Sequence, residues 1–88
     1  MAMIDSSDIT VDFYRLEDNI AIGNVSIFRG MIRFDSTVHF DIDTYQTTFL
    51  NEASFDMLPE NYQKVVRGSV MGKANLFLRD QGIKTPFD

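Results

Sequence analysis

Residues 32 to 42 read IRFDSTVHFDI, and this stretch decides the fold because apolar and polar side chains alternate along it, with Ser36 as the one polar residue at an apolar position. A repeat of two residues is the signature of a β-strand with one buried face. The apolar side consists of Ile32, Phe34, Ser36, Val38, Phe40 and Ile42. The polar side consists of Arg33, Asp35, Thr37, His39, Asp41 and Asp43. The pattern predicts either one long strand or a hairpin that turns at Asp35-Ser36.

Two earlier segments extend this sheet toward the N-terminus. Residues 9–14 read ITVDFY and alternate in the same way, and the polar run Glu17-Asp18-Asn19 then predicts a reversal. Residues 20–28 resume the apolar pattern on either side of Gly23-Asn24. Glycine and asparagine tolerate positive φ, so this pair indicates either a tight hairpin turn or a β-bulge. Arg29-Gly30 is the next predicted reversal.

The segment from residue 44 to residue 55 fits two structures. Tyr45, Thr47 and Phe49 continue a period of two after a turn at Asp43-Thr44, and threonine is common in strands. Tyr45, Phe49 and Ala53 also share one face of a helix. We expect a strand here, with a helix as the alternative.

The hydrophobic period changes near Pro59 from two residues to the three and four of a helix. Pro59 suits the first turn, and Gly82 suits the position just after the last turn. The apolar positions are Tyr62, Val65, Val66, Ser69, Val70, Ala74, Phe77 and Leu78. Gly68 and Gly72 interrupt this helix, which predicts a bend there or close packing against the sheet or a second copy.

These elements predict an α+β fold. We expect an antiparallel β-meander of three to five strands over about residues 8–50, with one face covered by a C-terminal amphipathic helix over about residues 59–81. A chain of 88 residues is long enough for one domain, 1–88. Its ends, 1–7 and 83–88, are expected to be loosely ordered. The strand order is not determined by the pattern.

Charge is divided along the chain in the same way as structure. Residues 1–60 contain 11 Asp and Glu against three Arg, whereas residues 61–88 contain five Lys and Arg against two Asp. The whole chain carries a net charge of −5, with a pI near 4.6. Such a balance disfavours direct binding to nucleic acid or to anionic membranes and favours approach to basic protein surfaces. The plainer interpretation is that the acidic charge maintains solubility.

The chain contains no cysteine, which excludes disulfides and thiol chemistry and indicates an intracellular protein. The start, MAMIDSSD, carries acids where a signal peptide carries bases, and no segment approaches the roughly 20 apolar residues of a membrane helix. We therefore expect a cytoplasmic location.

Few residues suggest chemistry. His39, Asp41 and Asp43 are potential metal ligands on one strand face, but a polar sheet face requires the same alternation. His39 is the only histidine, and Ser36 falls on the opposite strand face if the strand runs straight. We expect no enzymatic activity, no metal site and no cofactor.

The face of the sheet away from the helix is the predicted site of function. If Ile9, Val11, Phe13, Ile27, Phe34 and their neighbours face the helix, the other face mixes aromatic, methionine, arginine and acidic residues, a composition typical of protein interfaces. The alternative is that Phe28 and Met31 belong to the core. The candidate partner-binding residues are Asp12, Tyr14, Phe28, Met31, Arg33, His39, Asp41 and Asp43.

These features favour a non-enzymatic protein–protein interaction module. The specific hypothesis is a small acidic inhibitor, of the kind encoded by phages and mobile elements, that blocks a nucleic-acid-binding enzyme with a basic surface by mimicking phosphate charge. The alternative is a small self-associating structural or assembly subunit, and homodimer formation is compatible with either.

Overall fold

The computed structural model describes residues 8–83 and confirms the α+β fold. A four-stranded antiparallel sheet in the order β1-β2-β3-β4 is followed by a C-terminal helix that packs on one of its faces. The elements are β1 (Ile9–Glu17), β2 (Ile20–Arg29), β3 (Ile32–Asp41), β4 (Thr47–Phe49), α1 (Glu52–Asp56) and α2 (Glu60–Asp80). None of the helices within these residues is long and apolar enough to cross a membrane.

Both long hairpins turn through two-residue loops at the predicted reversals. Asp18 opens the β1–β2 loop with a φ of 53°, and Gly30 opens the β2–β3 loop with a φ of 59°. Positive φ at the first loop residue matches the twist of the flanking strands, and glycine adopts it without steric cost. β3 runs straight through Asp35-Ser36, so the predicted long strand is confirmed and the hairpin alternative is wrong.

A β-bulge lies next to Gly23-Asn24, but on the neighbouring strand. β2 continues through both residues, whereas the β1–β2 register shifts between Phe13 and Arg15, which leaves Tyr14 as the extra residue. Gly23 is paired with Phe13 at this point. A bulge bends its strand and increases the local twist, and it moves Arg15 rather than Tyr14 into the pair with Ile22.

The segment 44–55 contains both of the structures that its pattern allowed. The predicted strand is present only as β4, three residues long, and α1 follows it after Leu50. Tyr45 has a φ of 61° in the preceding turn, so it does not continue a strand as predicted. A strand of three residues and a helix of five are too short for periodicity to distinguish them.

The short helix α1 brings one aromatic side chain into the core. Phe55 is buried and stacks on Phe49, with ring centroids 4.2 Å apart and an interplanar angle of 15°. Phe34 from β3 meets both rings, at 5.9 and 5.8 Å. The Arg67 guanidinium lies 4.8 Å from the centre of the Phe55 ring, an arrangement that favours cation–π attraction. This aromatic cluster joins β3, β4, α1 and α2.

Helix α2 covers the rest of the sheet and matches its predicted bounds within one residue at each end. Its fully buried side chains recur at every fourth position, at Tyr62, Val66, Val70, Ala74 and Leu78. A step of four residues exceeds one turn by about 40°, so this stripe winds around the helix and α2 crosses the sheet diagonally. The N-terminal half therefore lies over the aromatic cluster, and Phe77 near the other end contacts Phe13 of β1, with ring centroids 6.0 Å apart.

Both ends of α2 are defined by the residues that the sequence indicates. Pro59 is the N-cap rather than a first-turn residue, and its carbonyl accepts hydrogen bonds from Tyr62 and Gln63. At the other end Gly82 has a φ of 78°, and the N–H of Ile83 donates to the Leu78 carbonyl at 2.9 Å. This is a Schellman motif. Ile83 packs against the core, so it is not a loose end; the other residues of the two predicted loose ends lie outside the described part.

Replacing Gly68 or Gly72 with alanine should raise the free energy of unfolding by roughly 0.5–1 kcal/mol each, because glycine in a helix interior costs that much relative to alanine. α2 runs without a break through both positions, and an added Cβ would have nothing within 4 Å, so the predicted close packing against the sheet is wrong. Urea unfolding of the two variants measures the effect. A loss of stability would contradict this assignment of both positions to open space.

Candidate protein-binding face

The outer face is the side of the sheet that α2 does not cover, and it displays every second side chain of each strand. Its members are Thr10, Asp12, Arg15 and Glu17 of β1, Ile20, Ile22, Asn24, Ser26 and Phe28 of β2, Arg33, Asp35, Thr37, His39 and Asp41 of β3, and Thr48 of β4. The predicted inward residues are buried or pack against the core, so the division into two faces agrees with the structure.

One end of the outer face carries an aromatic ring and a cation. Phe28 and Arg33 are cross-strand partners, and the guanidinium carbon lies 4.8 Å from the ring centre. Phe28 is 66% exposed, so the alternative that it belongs to the core is wrong. Met31 is fully exposed, but it lies in the β2–β3 loop rather than on the sheet face as predicted, because the loop is Gly30-Met31, one residue later than the predicted Arg29-Gly30.

The middle of the outer face is polar and carries two carboxylates. Thr10, Ser26 and Asp35 form one cross-strand row, and Asp12, Asn24 and Thr37 form the next. Asp12 and Asp35 are both exposed, and they lie on the two strands that flank β2. From strand spacing and rise, their Cα atoms are roughly 12 Å apart.

The row after the bulge contains a buried apolar residue. Ile22 lies between Arg15 and His39 in the sheet register and is only 5% exposed, although it does not belong to the core cluster beneath the sheet. The extra residue Tyr14 is about half exposed beside Arg15. This row therefore combines an aromatic side chain, a guanidinium and an imidazole around an apolar centre, as protein interfaces commonly do.

The far end of the outer face is acidic. Glu17 and Asp41 flank Ile20 in the last row, and the adjoining turns add Asp18 and Asp43. An ion pair at this end joins Glu17 to Arg15, at 3.4 Å between two side chains that are more than half exposed. Exposed pairs of this kind contribute little to stability, so the carboxylates mainly set the electrostatic field of this end.

The potential metal ligands His39, Asp41 and Asp43 do not share one strand face. β3 ends at Asp41, whose carboxylate accepts hydrogen bonds from the backbone N–H groups of Asp43 at 2.8 Å and Thr44 at 3.2 Å. Asp43 lies in the turn, and its carboxylate accepts a hydrogen bond of 2.7 Å from the Asn19 amide. Within residues 8–83, no three histidine or acidic side chains are placed to hold one metal ion.

Ser36 and His39 lie on opposite faces of β3, as expected for a straight strand. The Ser36 hydroxyl donates to the Thr37 carbonyl at 2.8 Å and accepts from the Asn51 backbone N–H at 2.9 Å. The second bond fixes the segment that follows β4 to β3. The hydroxyl therefore has a structural use at this edge and is directed away from the only imidazole.

The division of charge along the chain becomes a division between the two layers. The outer face and its turns present six carboxylates and two guanidinium groups, on Asp12, Glu17, Asp18, Asp35, Asp41 and Asp43 and on Arg15 and Arg33. Helix α2 contributes four basic residues and two acidic ones, Lys64, Arg67, Lys73 and Arg79 with Glu60 and Asp80. A basic surface that approaches this protein is therefore attracted to the sheet side.

Some residues of the outer face were not among the predicted candidates. Arg15, Ile22, Asn24, Asp35 and Thr37 occupy its centre. Counting back from Phe28 in steps of two would have found Asn24 and Ile22. The alternation of β1 does not predict that Arg15 lies on the outer face, because the alternation changes phase at the bulge. No glycine or proline in β1 indicates this change.

Comparisons of this chain with protein-family models, with curated proteins and with solved structures find no match.

Proposed function

We propose that the protein is a non-enzymatic interaction module whose outer face binds a basic surface on another protein. The observation that carries this proposal is the outer face itself: α2 covers only the other side of the sheet, and the uncovered side carries the excess of carboxylates. Phe28 and Tyr14 are exposed aromatic side chains that supply the contact area an interface core needs.

Charge mimicry of nucleic acid is the narrower form of this proposal. Asp35 and Asp41 are six residues apart on β3, which corresponds to roughly 20 Å along an extended strand. Duplex DNA carries one phosphate per ~3.4 Å of each strand, so the carboxylates do not reproduce phosphate spacing. Mimicry would therefore act through the net field of the face. Release of the captured partner by duplex DNA would support this narrower form.

Reversing the charge of Asp12 and Asp35 should abolish partner binding while leaving the fold intact. Both side chains are exposed, and neither caps a turn as Asp41 does. We expect the double variant Asp12→Lys/Asp35→Lys to lose at least about tenfold in affinity, because each substitution places a cation against a basic partner surface. The measurement is capture from nuclease-treated lysate on immobilised protein, quantified by mass spectrometry at about 0.05 and about 0.3 M salt.

The control is Asp56→Lys/Asp80→Lys, which changes the net charge equally on the helical side of the molecule. Both residues are exposed, and each lies at the C-terminal end of a helix, where a lysine suits the helix dipole. The proposal is supported if the wild type and this control both retain a partner that the sheet variant does not retain. The wild type should also release this partner at high salt. Equal retention by all three proteins would refute it.

A further inference from the structure

Strand β1 lies at one edge of the sheet that residues 8–83 form. It is nine residues long and pairs with β2 on one side, and no strand within residues 8–83 pairs with its other side. The stretch Ile9–Phe13 of this edge contains none of the prolines, glycines or lysines that commonly protect edge strands, and the bulge begins only beyond it. The edge is therefore open to another strand.

The hydrogen bonds of the sheet show which backbone groups face that edge. Leu50 donates to the Thr37 carbonyl and Asp41 donates to the Gln46 carbonyl, so odd-numbered residues of β3 point toward β4 and even-numbered ones toward β2. Hydrogen-bonded partners alternate across each antiparallel pair. From the strand registers, the backbone groups of odd-numbered β2 residues then face β3, and those of Thr10 and Asp12 in β1 face β2.

The backbone groups of Ile9, Val11 and Phe13 consequently face outward. If β1 pairs antiparallel with β1 of a second copy, both residues of every hydrogen-bonded pair must face the edge. Three registers within Ile9–Phe13 meet this condition, and they are centred on Thr10, Val11 or Asp12. Centring on Thr10 allows only three residue pairs, because β1 begins at Ile9. Centring on Asp12 places two carboxylates directly opposite each other and extends into the bulge at Tyr14.

We propose that β1 forms an antiparallel homodimer centred on Val11, which joins two sheets into one of eight strands. This register gives five residue pairs and ends where the bulge begins. On the inner face Val11 meets Val11 of the second copy and Ile9 meets Phe13, which extends both cores. On the outer face Thr10 lies opposite Asp12, so a hydroxyl faces each carboxylate.

This dimer has a two-fold axis perpendicular to the sheet, so both outer faces lie on the same side. It would double the proposed partner-binding face into one continuous acidic surface. The inference itself rests on the edge of β1 and not on the proposed function, and sedimentation and disulfide formation test it in the absence of a partner.

Cysteine cross-linking tests the register, because the chain has no cysteine of its own. Thr10 and Asp12 of facing copies form a non-hydrogen-bonded pair, with Cα atoms about 4.5 Å apart, which lies within disulfide range. A mixture of Thr10→Cys and Asp12→Cys proteins, mildly oxidised, should therefore form a mixed disulfide in preference to either homodimer. Lys73→Cys places a cysteine at an exposed position of α2. Its disulfide yield measures how much cross-linking results from random collisions.

Sedimentation of the full chain at up to about 0.5 mM tests association itself. We expect a dimer that Thr10→Asp weakens and Thr10→Lys strengthens, each by roughly threefold to thirtyfold, because either substitution creates two charge pairs with Asp12. Thr10 is exposed, so both variants should fold. The proposal would be overturned if the chain remained a monomer throughout this range. It would also be overturned if a dimer formed without the mixed disulfide, or if the two Thr10 variants had equal effects on association.

Discussion

Replacing Gly23 with alanine is expected to destabilise the protein by about 3 kcal/mol, a large part of the stability of a domain this size. A Cβ at this position would lie 2.5 Å from the Asp12 carbonyl oxygen and 2.8 Å from the Cα of Phe13. Both of these atoms belong to the backbone of β1, so no side-chain rotation can relieve the overlap. The strand must move away from β2 at the bulge, where the register of the sheet is set.

The measurement is urea unfolding followed by circular dichroism. Gly68→Ala and Gly72→Ala are matched controls, since they make the same chemical change where nothing lies within 4 Å and should stabilise the protein. A Gly23→Ala protein as stable as the wild type would show that the bulge does not bring β1 against Gly23. The affinity of the outer face should fall together with stability, because Asp12 and Tyr14 flank the same bulge.

Replacing Phe34 with alanine should cost roughly 3–5 kcal/mol, because it removes a large buried side chain and leaves a cavity. Phe34 is 2% exposed and lies where the rings of Phe49 and Phe55 meet β3. These rings connect the short elements β4 and α1 to the sheet, so their loss should release both elements. We expect the variant to be largely unfolded at 37 °C, and thermal unfolding measures this.

Phe28→Ala is the matched control for the core substitution. It makes the same chemical change at a phenylalanine that is 66% exposed on the outer face. Its stability should remain within about 0.5 kcal/mol of the wild type, whereas its capture of the partner should fall. A loss of stability comparable to that of Phe34→Ala would place Phe28 in the core and remove it from the candidate binding face.

The sheet layer and the helix layer could be predicted because the sequence contains two clear hydrophobic periodicities. The alternation of residues 32–42 and the helical repeat after Pro59 extend over enough residues for each period to be recognised. Features that depend on neighbouring strands could not be predicted. The bulge lies at Tyr14 of β1, beside the pair Phe13 and Gly23, whereas the sequence pattern indicated a turn or bulge at Gly23-Asn24 of the neighbouring strand.

The candidate site could be predicted in outline for the same reason. Alternation assigned Asp12, Phe28 and His39 to the uncovered face, and the structure places them there. Met31 and Asp43 were assigned to that face as well, but Met31 lies in the β2–β3 loop and Asp43 lies in the turn after β3. Ile22 is buried although it lies on the outer face, and the alternation of the sequence does not indicate this.

Site-specific photo-cross-linking tests the central claim, that the outer face binds another protein, most directly. A photoreactive phenylalanine analogue is placed at Phe28 on the outer face or at Leu76 on α2, two apolar side chains that are 66% and 53% exposed on opposite sides of the molecule. After irradiation in lysate at low salt, the Phe28 variant should form a cross-link to another protein that Asp12→Lys/Asp35→Lys suppresses, and the Leu76 variant should not. A cross-link from Leu76 alone would show that α2, not the outer face, is the binding surface.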